Sequence, residues 1–99
     1  PAIVNAKDGA SRYLFMNSYQ ARIYGTTPEA AVGRTPAEVL GAAYGERIAA
    51  LDRLAMESGA AIPFYEESYP GADGAVRHWL TTKVPLFGAD GKAMGVATI

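Results

Sequence analysis

Apolar and polar positions alternate along the last third of this 99-residue chain and take helical spacing in its middle. The run Ala75 to Phe87, AVRHWLTTKVPLF, holds no glycine and a single proline near its far end. Asp73-Gly74 and Asp90-Gly91 bracket it. Asp-Gly between β-rich runs is a strong hairpin signal, because both residues tolerate the positive φ of a tight turn. With Ala61–Tyr69 before the first turn and Ala93–Ile99 after the second, the pattern predicts three strands in an antiparallel meander.

Upstream, the chain opens at Pro1 directly into a predicted strand, Ala2–Asn5, closed by Lys7-Asp8-Gly9. Tyr13–Met16 pairs with it as a hairpin. Asn17 or Ser18 then stands as N-cap to a helix over Tyr19–Tyr24, which Gly25 ends. Thr27-Pro28 and Thr35-Pro36 each set a cap and a proline at the first helical position, starting two brief turns that end at Gly33 and near Gly41. The longest predicted helix is Tyr44–Glu57, ended by Ser58-Gly59. Ile48, Leu51, Leu54 and Ala55 form its inward stripe, and Arg47, Asp52, Arg53 and Glu57 its outer face. The order gives an α+β fold: a five-stranded antiparallel sheet with short helices and one longer helix on one face.

Composition narrows the function. The length suits one domain, 49% of residues are apolar, and the net charge is −1, as in ordinary globular proteins. Nine scattered basic residues argue against a nucleic-acid footprint, which is clustered and strongly basic. No run nears the roughly 20 apolar residues of a membrane span, and no signal-peptide pattern opens the chain. No membrane insertion and a cytoplasmic location are therefore expected, with membrane anchoring left to a parent protein. The absence of cysteine excludes disulfides, thiolate metal sites and cysteinyl cofactor links. A single histidine, His78, excludes a multi-histidine zinc site within one chain. The stop at Ile99 inside the apolar run Val96–Ile99 suggests a module, residues 1–99, excised from a longer signalling polypeptide.

Several motifs occur together in order: Asn17 opening the first helix, Tyr24-Gly25 closing it, Thr27-Pro28-Glu29, and Val32-Gly33-Arg34. Asp73-Gly74, Trp79, Lys83-Val84-Pro85-Leu86, Asp90-Gly91 and Gly95-Val96 follow. Over essentially its whole length the chain resembles a PAS domain, especially the sensory-box modules of bacterial sensor histidine kinases and diguanylate cyclases. The resemblance implies a regulatory, non-catalytic sensor of signal transduction, feeding an output domain in the same chain, and homodimeric through the outer sheet face and flanking helices. It leaves the cofactor open. Flavin photochemistry of the cysteinyl type is excluded. Haem is disfavoured because the long helix offers no histidine, and Met56 near its end is a poor lone ligand.

Alternation along the strand puts Arg77, Trp79, Thr81 and Lys83 on one face and His78, Leu80, Thr82 and Val84 on the other. The resemblance implies that the tryptophan face looks toward the helices. His78 then lies outside, a surface or interface residue. Trp79 is either core filler or cavity wall. An inward Lys83 needs a counter-charge: a cross-strand glutamate, Glu66 or Glu67, or an anionic ligand such as a carboxylate. Tyr19, Tyr24, Tyr44 and Tyr65 either orient a polar metabolite or cap the core at its wet edges.

Three functional readings follow. The first is a sensor binding a small molecule between sheet and long helix, against Ile48, Leu51, Ala55, Tyr65, Trp79, Thr81 and Lys83. The second is a ligand-free dimerisation module that uses Leu80 and Val84 on the outer face. The third, a proton-transfer enzyme of ketosteroid-isomerase type, needs a poised carboxylate; Glu66 or Glu67 offers one, but no second catalytic group accompanies it.

Overall fold

The computed structural model describes residues 2–99, so the expected strand opening at Pro1 falls outside the described residues at its first position. The elements are β1 (Asn5–Asp8), β2 (Tyr13–Met16), α1 (Ser18–Tyr24), α2 (Pro28–Ala31), α3 (Pro36–Leu40), α4 (Ala42–Ser58), β3 (Ile62–Pro70), β4 (Val76–Phe87) and β5 (Ala93–Thr98). The strands form one sheet in the order β2-β1-β5-β4-β3, and every neighbouring pair is antiparallel. The two Asp-Gly turns connect β3 to β4 and β4 to β5, with Gly74 and Gly91 at φ 82° and 79°.

The helix starts follow the capping chemistry of the sequence. The Asn17 side chain accepts from the Gln20 N–H and that of Thr27 from the Ala30 N–H, while Thr35 and Glu38 make a reciprocal capping box. A core of Tyr13, Met16, Ala21 and Ala31, with Tyr24 and Val39 packed on it, joins β2 to the short helices. Gly45 of α4 lies so close to α3 that a Cβ there would fall within 2.6 Å of the Ala37 nitrogen and Cβ.

Two expectations are corrected. The first strand is Asn5–Asp8 rather than Ala2–Asn5, pairing from Asn5↔Thr98 to Asp8↔Gly95 with β5. Its inward residues are the polar Asn5 and Lys7, which an apolar-run criterion passes over. The long helix runs from Ala42 to Ser58, and its buried face is Gly45, Ile48, Asp52 and Ala55. Leu54, expected inside, is 53% exposed; Asp52, expected outside, is 1% exposed. The helix is rotated from the expected stripe because Asp52, four residues after Ile48, has a charged partner beneath it.

Candidate functional site

Strand alternation delivers Asn5 and Lys7 from β1, Lys83 from β4 and Thr98 from β5 to the underside of α4, all buried. The face assignment on β4 holds: Thr81 and Lys83 are buried beneath the helix, while His78, Leu80 and Val84 are exposed on the far side. Asp52 reaches down from α4 between the two lysines. Its Oδ1 lies 2.9 Å from Lys83 Nζ and its Oδ2 3.5 Å from Lys7 Nζ. Lys83 Nζ also donates to Thr98 Oγ1 at 2.8 Å, and Lys7 Nζ to Asn5 Oδ1 at 3.1 Å. Asn5 Nδ2 in turn donates to Gln20 Oε1 at 3.1 Å. Ser11 holds a positive φ of 61° and donates its hydroxyl to Asp52 Oδ2 at 3.4 Å.

The partner of Lys83 is thus Asp52, not a glutamate of β3. Glu67 is the inward-facing one of the two glutamates, half-buried opposite Trp79, and Glu66 is exposed opposite Leu80. Glu67 lines a small cavity with Lys7, Lys83, Gln20, Tyr24 and Ile48, a space of about 10 Å³ that accommodates one water-sized guest.

Burial sets the electrostatics. Desolvation, and then the nearby charge of Lys83, push the Lys7 ammonium down from 10.5 to about 7, although Asp52 opposes the shift. Burial also raises the phenols of Tyr13, Tyr24 and Tyr65, which stay protonated. The buried hydroxyls of Thr81 and Tyr65 find no hydrogen-bond partner among the described residues.

Of the expected lining residues, Ile48 and Lys83 meet at this cavity. Ala55 of α4 and Thr81 of β4 are buried but lie outside the wall of this cavity. Leu51 and Tyr65 line a shallow hollow at the α4–β3 edge with Ile62, and half-buried Trp79 borders another with Glu66, His78 and Leu80. Lys7, Asp52, Asn5 and Gln20 are the members that the sequence reading missed. A signal existed for three of them: Asn5 and Lys7 alternate with apolar Val4 and Ala6, and Asp52 stands at i+4 from Ile48. A larger hollow of about 380 Å³, bordered by Ser11, Pro36, Ala49 and Arg53, is open to solvent and lined mainly by small side chains.

A family described as PAS fold matches residues 1–99. The chain is a PAS domain. Its fold, a sensor fold of signalling proteins, superposes on Vibrio cholerae VqmA, in a dimer without target DNA, with a TM-score of 0.89 at 26% identity. The match covers 99% of this PAS domain and 44% of VqmA. VqmA bound to DPO gives the same TM-score and identity, with 99% and 50% covered. The chain therefore spans about half the length of these VqmA structures. A PAS domain from Colwellia psychrerythraea superposes with a TM-score of 0.75 at 19% identity, covering 97% of this chain and 80% of that one, and supports the fold alone. Among curated proteins, none matches the sequence.

Proposed function

We propose that this PAS domain is a regulatory sensor that binds a small ligand between the sheet and α4 and passes the signal to a downstream output domain. The observation that carries the reading is the buried polar cluster Lys7–Asp52–Lys83 around a cavity under the helix. A domain built only for rigidity is as stable or more so with apolar residues in such positions. VqmA, similar at 26% identity, is known bound to DPO, which supports ligand recognition in this fold. The cavity admits only a water-sized guest as it stands, so a larger ligand enters as α4 lifts from the sheet. That movement reaches β4 and, through Lys83 and Thr98, the last strand in chain order, β5. Ligand thus shifts a pre-existing equilibrium instead of creating a new state. The output domain in this reading is a histidine kinase or a diguanylate cyclase.

Haem and cysteinyl flavin stay outside the proposal, since α4 carries no histidine, the sequence has no cysteine, and His78 lies on the opposite sheet face. Native mass spectrometry of the purified domain, beside a denatured spectrum, tests the reading. A mass excess lost on denaturation, and abolished by Lys83→Met, is expected. A bare chain mass, unchanged after incubation with a metabolite extract, overturns it.

The second reading, a ligand-free homodimerisation module, is favoured by one observation: Phe64, Leu80 and Val84 are exposed on the outer sheet face.

A further inference from the structure

Thr81 and Tyr65 stand apart from the lysine cluster, and their buried hydroxyls have no hydrogen-bond partner among the described residues. The two residues are direct partners across β4 and β3, so both side chains lie on the sheet face that carries Lys83. Thr81 is 0% exposed. Valine and phenylalanine have the same shapes and would fill these positions without an unpaired buried hydroxyl, which costs stability wherever it occurs.

Tyr65 also borders a second space, the shallow hollow at the α4–β3 edge, with Arg47, Ala50, Leu51 and Ile62. Its volume is about 460 Å³. That falls within the roughly 300–1,000 Å³ of small-molecule sites, unlike the water-sized cavity beside Lys7. β3 is an edge strand, and its register to β4 shifts between Ile62 and Tyr65. Irregularities of this kind re-aim the side chains next to them.

The chemistry of the wall selects the guest. Ala50, Leu51 and Ile62 offer apolar contact. Burial, followed by the negative charges of Glu67 and Asp52, keeps the Tyr65 phenol protonated. Each hydroxyl of the pair therefore both donates and accepts. The same two carboxylates oppose an anion at this place, and Arg47, exposed at the rim, is the opposing positive charge.

We propose that the hollow is a gated binding site for a compact neutral molecule with an apolar body and an amide-like pair of donor and acceptor. The body lies against Leu51 and Ile62. The Tyr65 ring turns aside, breaking no hydrogen bond as it does so, and opens the hollow inward to Thr81. The donor and acceptor of the guest then meet the two hydroxyls. The proposal rests on the sensing reading and adds to it the class of the ligand and its side of entry. Thr81 stands two residues before Lys83 on β4, so a guest here sits next to the tie between α4 and the sheet.

Benzamide, benzoate and toluene share a ring and differ in the group attached to it. The ¹⁵N-labelled domain is titrated with each and followed by heteronuclear NMR. Benzamide is expected to shift the Leu51, Tyr65 and Thr81 amides saturably and to bind more tightly than either analogue. Tyr65→Phe and Thr81→Val are each expected to weaken benzamide about three- to tenfold, with unfolding stability kept or raised. Toluene binding as tightly as benzamide removes the role of the hydroxyls and overturns the proposal. Tighter binding of benzoate overturns the neutral class and points to Arg47. Variants that lose stability but keep full benzamide affinity mark a structural pair bridged by buried water, and the proposal falls. If no probe moves these amides while native mass spectrometry still shows a guest that depends on Lys83, the hollow is not the site and the sensing reading stands.

Discussion

Asp52 of α4 and Lys83 of β4 meet at 2.9 Å, and the pair ties the long helix to the centre of the sheet. Lys83 sits opposite Thr98 of β5 and donates to its hydroxyl, so one ammonium links helix, β4 and β5. A ligand that competes for this ammonium acts on all three elements at once. Under the proposed sensing reading, this geometry couples recognition to the last strand without any residue distant from the site.

Replacement of Asp52 exposes how much of the fold rests on that tie. Asp52→Asn leaves two buried ammoniums with no carboxylate and is expected to lower unfolding stability by about 3–5 kcal/mol. The triple replacement Lys7→Met, Asp52→Leu, Lys83→Met removes every buried charge together. It is expected to be at least as stable as the wild type, by about 0–4 kcal/mol, and blind to ligand. Urea unfolding of the two variants checks both statements. Equal losses in the single and triple variants would show that the cluster is structural and not a functional compromise.

The depressed Lys7 ammonium gives stability a definite pH slope. Between about pH 7 and 10.5 the unfolded chain holds a proton on Lys7 that the folded chain lacks, so stability rises with pH across that window. The slope approaches roughly 1.4 kcal/mol per pH unit at most. Tyr13, Tyr24 and Tyr65 act oppositely above about pH 10, where the unfolded phenols ionise and the buried ones do not. Stability is therefore expected to climb from pH 7, peak near 10 and then fall. Thermal unfolding from pH 6 to 11 reads this directly, and Lys7→Met is expected to remove the rise but keep the fall.

Much of this architecture was legible in the sequence, because local chemistry and tertiary need agree there. Asn17, Thr27 and Thr35 cap where their side chains can accept, and the Asp-Gly pairs turn where positive φ is required. The site was less legible for one physical reason. Reading apolar residues inward fails where the interior is charged, and Lys7, Asp52 and Lys83 are buried only because each supplies part of the others' solvation. Lys83 was found through strand alternation, which ignores polarity. Asp52 was assigned outward and Leu54 inward, by polarity alone, and both are reversed. Which glutamate of β3 faces inward depended on register across the Pro70-Gly71 turn, and the pairing Glu67↔Trp79 resolves it.

The α3–α4 contact gives a prediction in which two effects have opposite sign. Gly45→Ala improves helix propensity by about 1 kcal/mol. The new methyl, however, meets the Ala37 backbone nitrogen and Cβ within 2.6 Å, and a backbone cannot swing aside as a long side chain can. Overpacking of this kind costs about 1–3 kcal/mol, so a net loss is expected. Chemical denaturation measures it, and a gain in stability would mean that α3 shifts freely.

The outer sheet face separates sensing from association. Leu80 is 67% exposed and sits opposite Glu66, with Phe64 and Val84 also exposed on that side and the cavity on the other. Leu80→Asp therefore removes apolar surface without entering the core. Domain stability is expected to change by no more than about 0.5 kcal/mol. If copies of the domain associate through this face, the substitution places two like charges in a desolvated contact and weakens dimerisation at least about tenfold. Sedimentation equilibrium of the wild type and the variant decides the matter. An unchanged association constant would place any interface elsewhere.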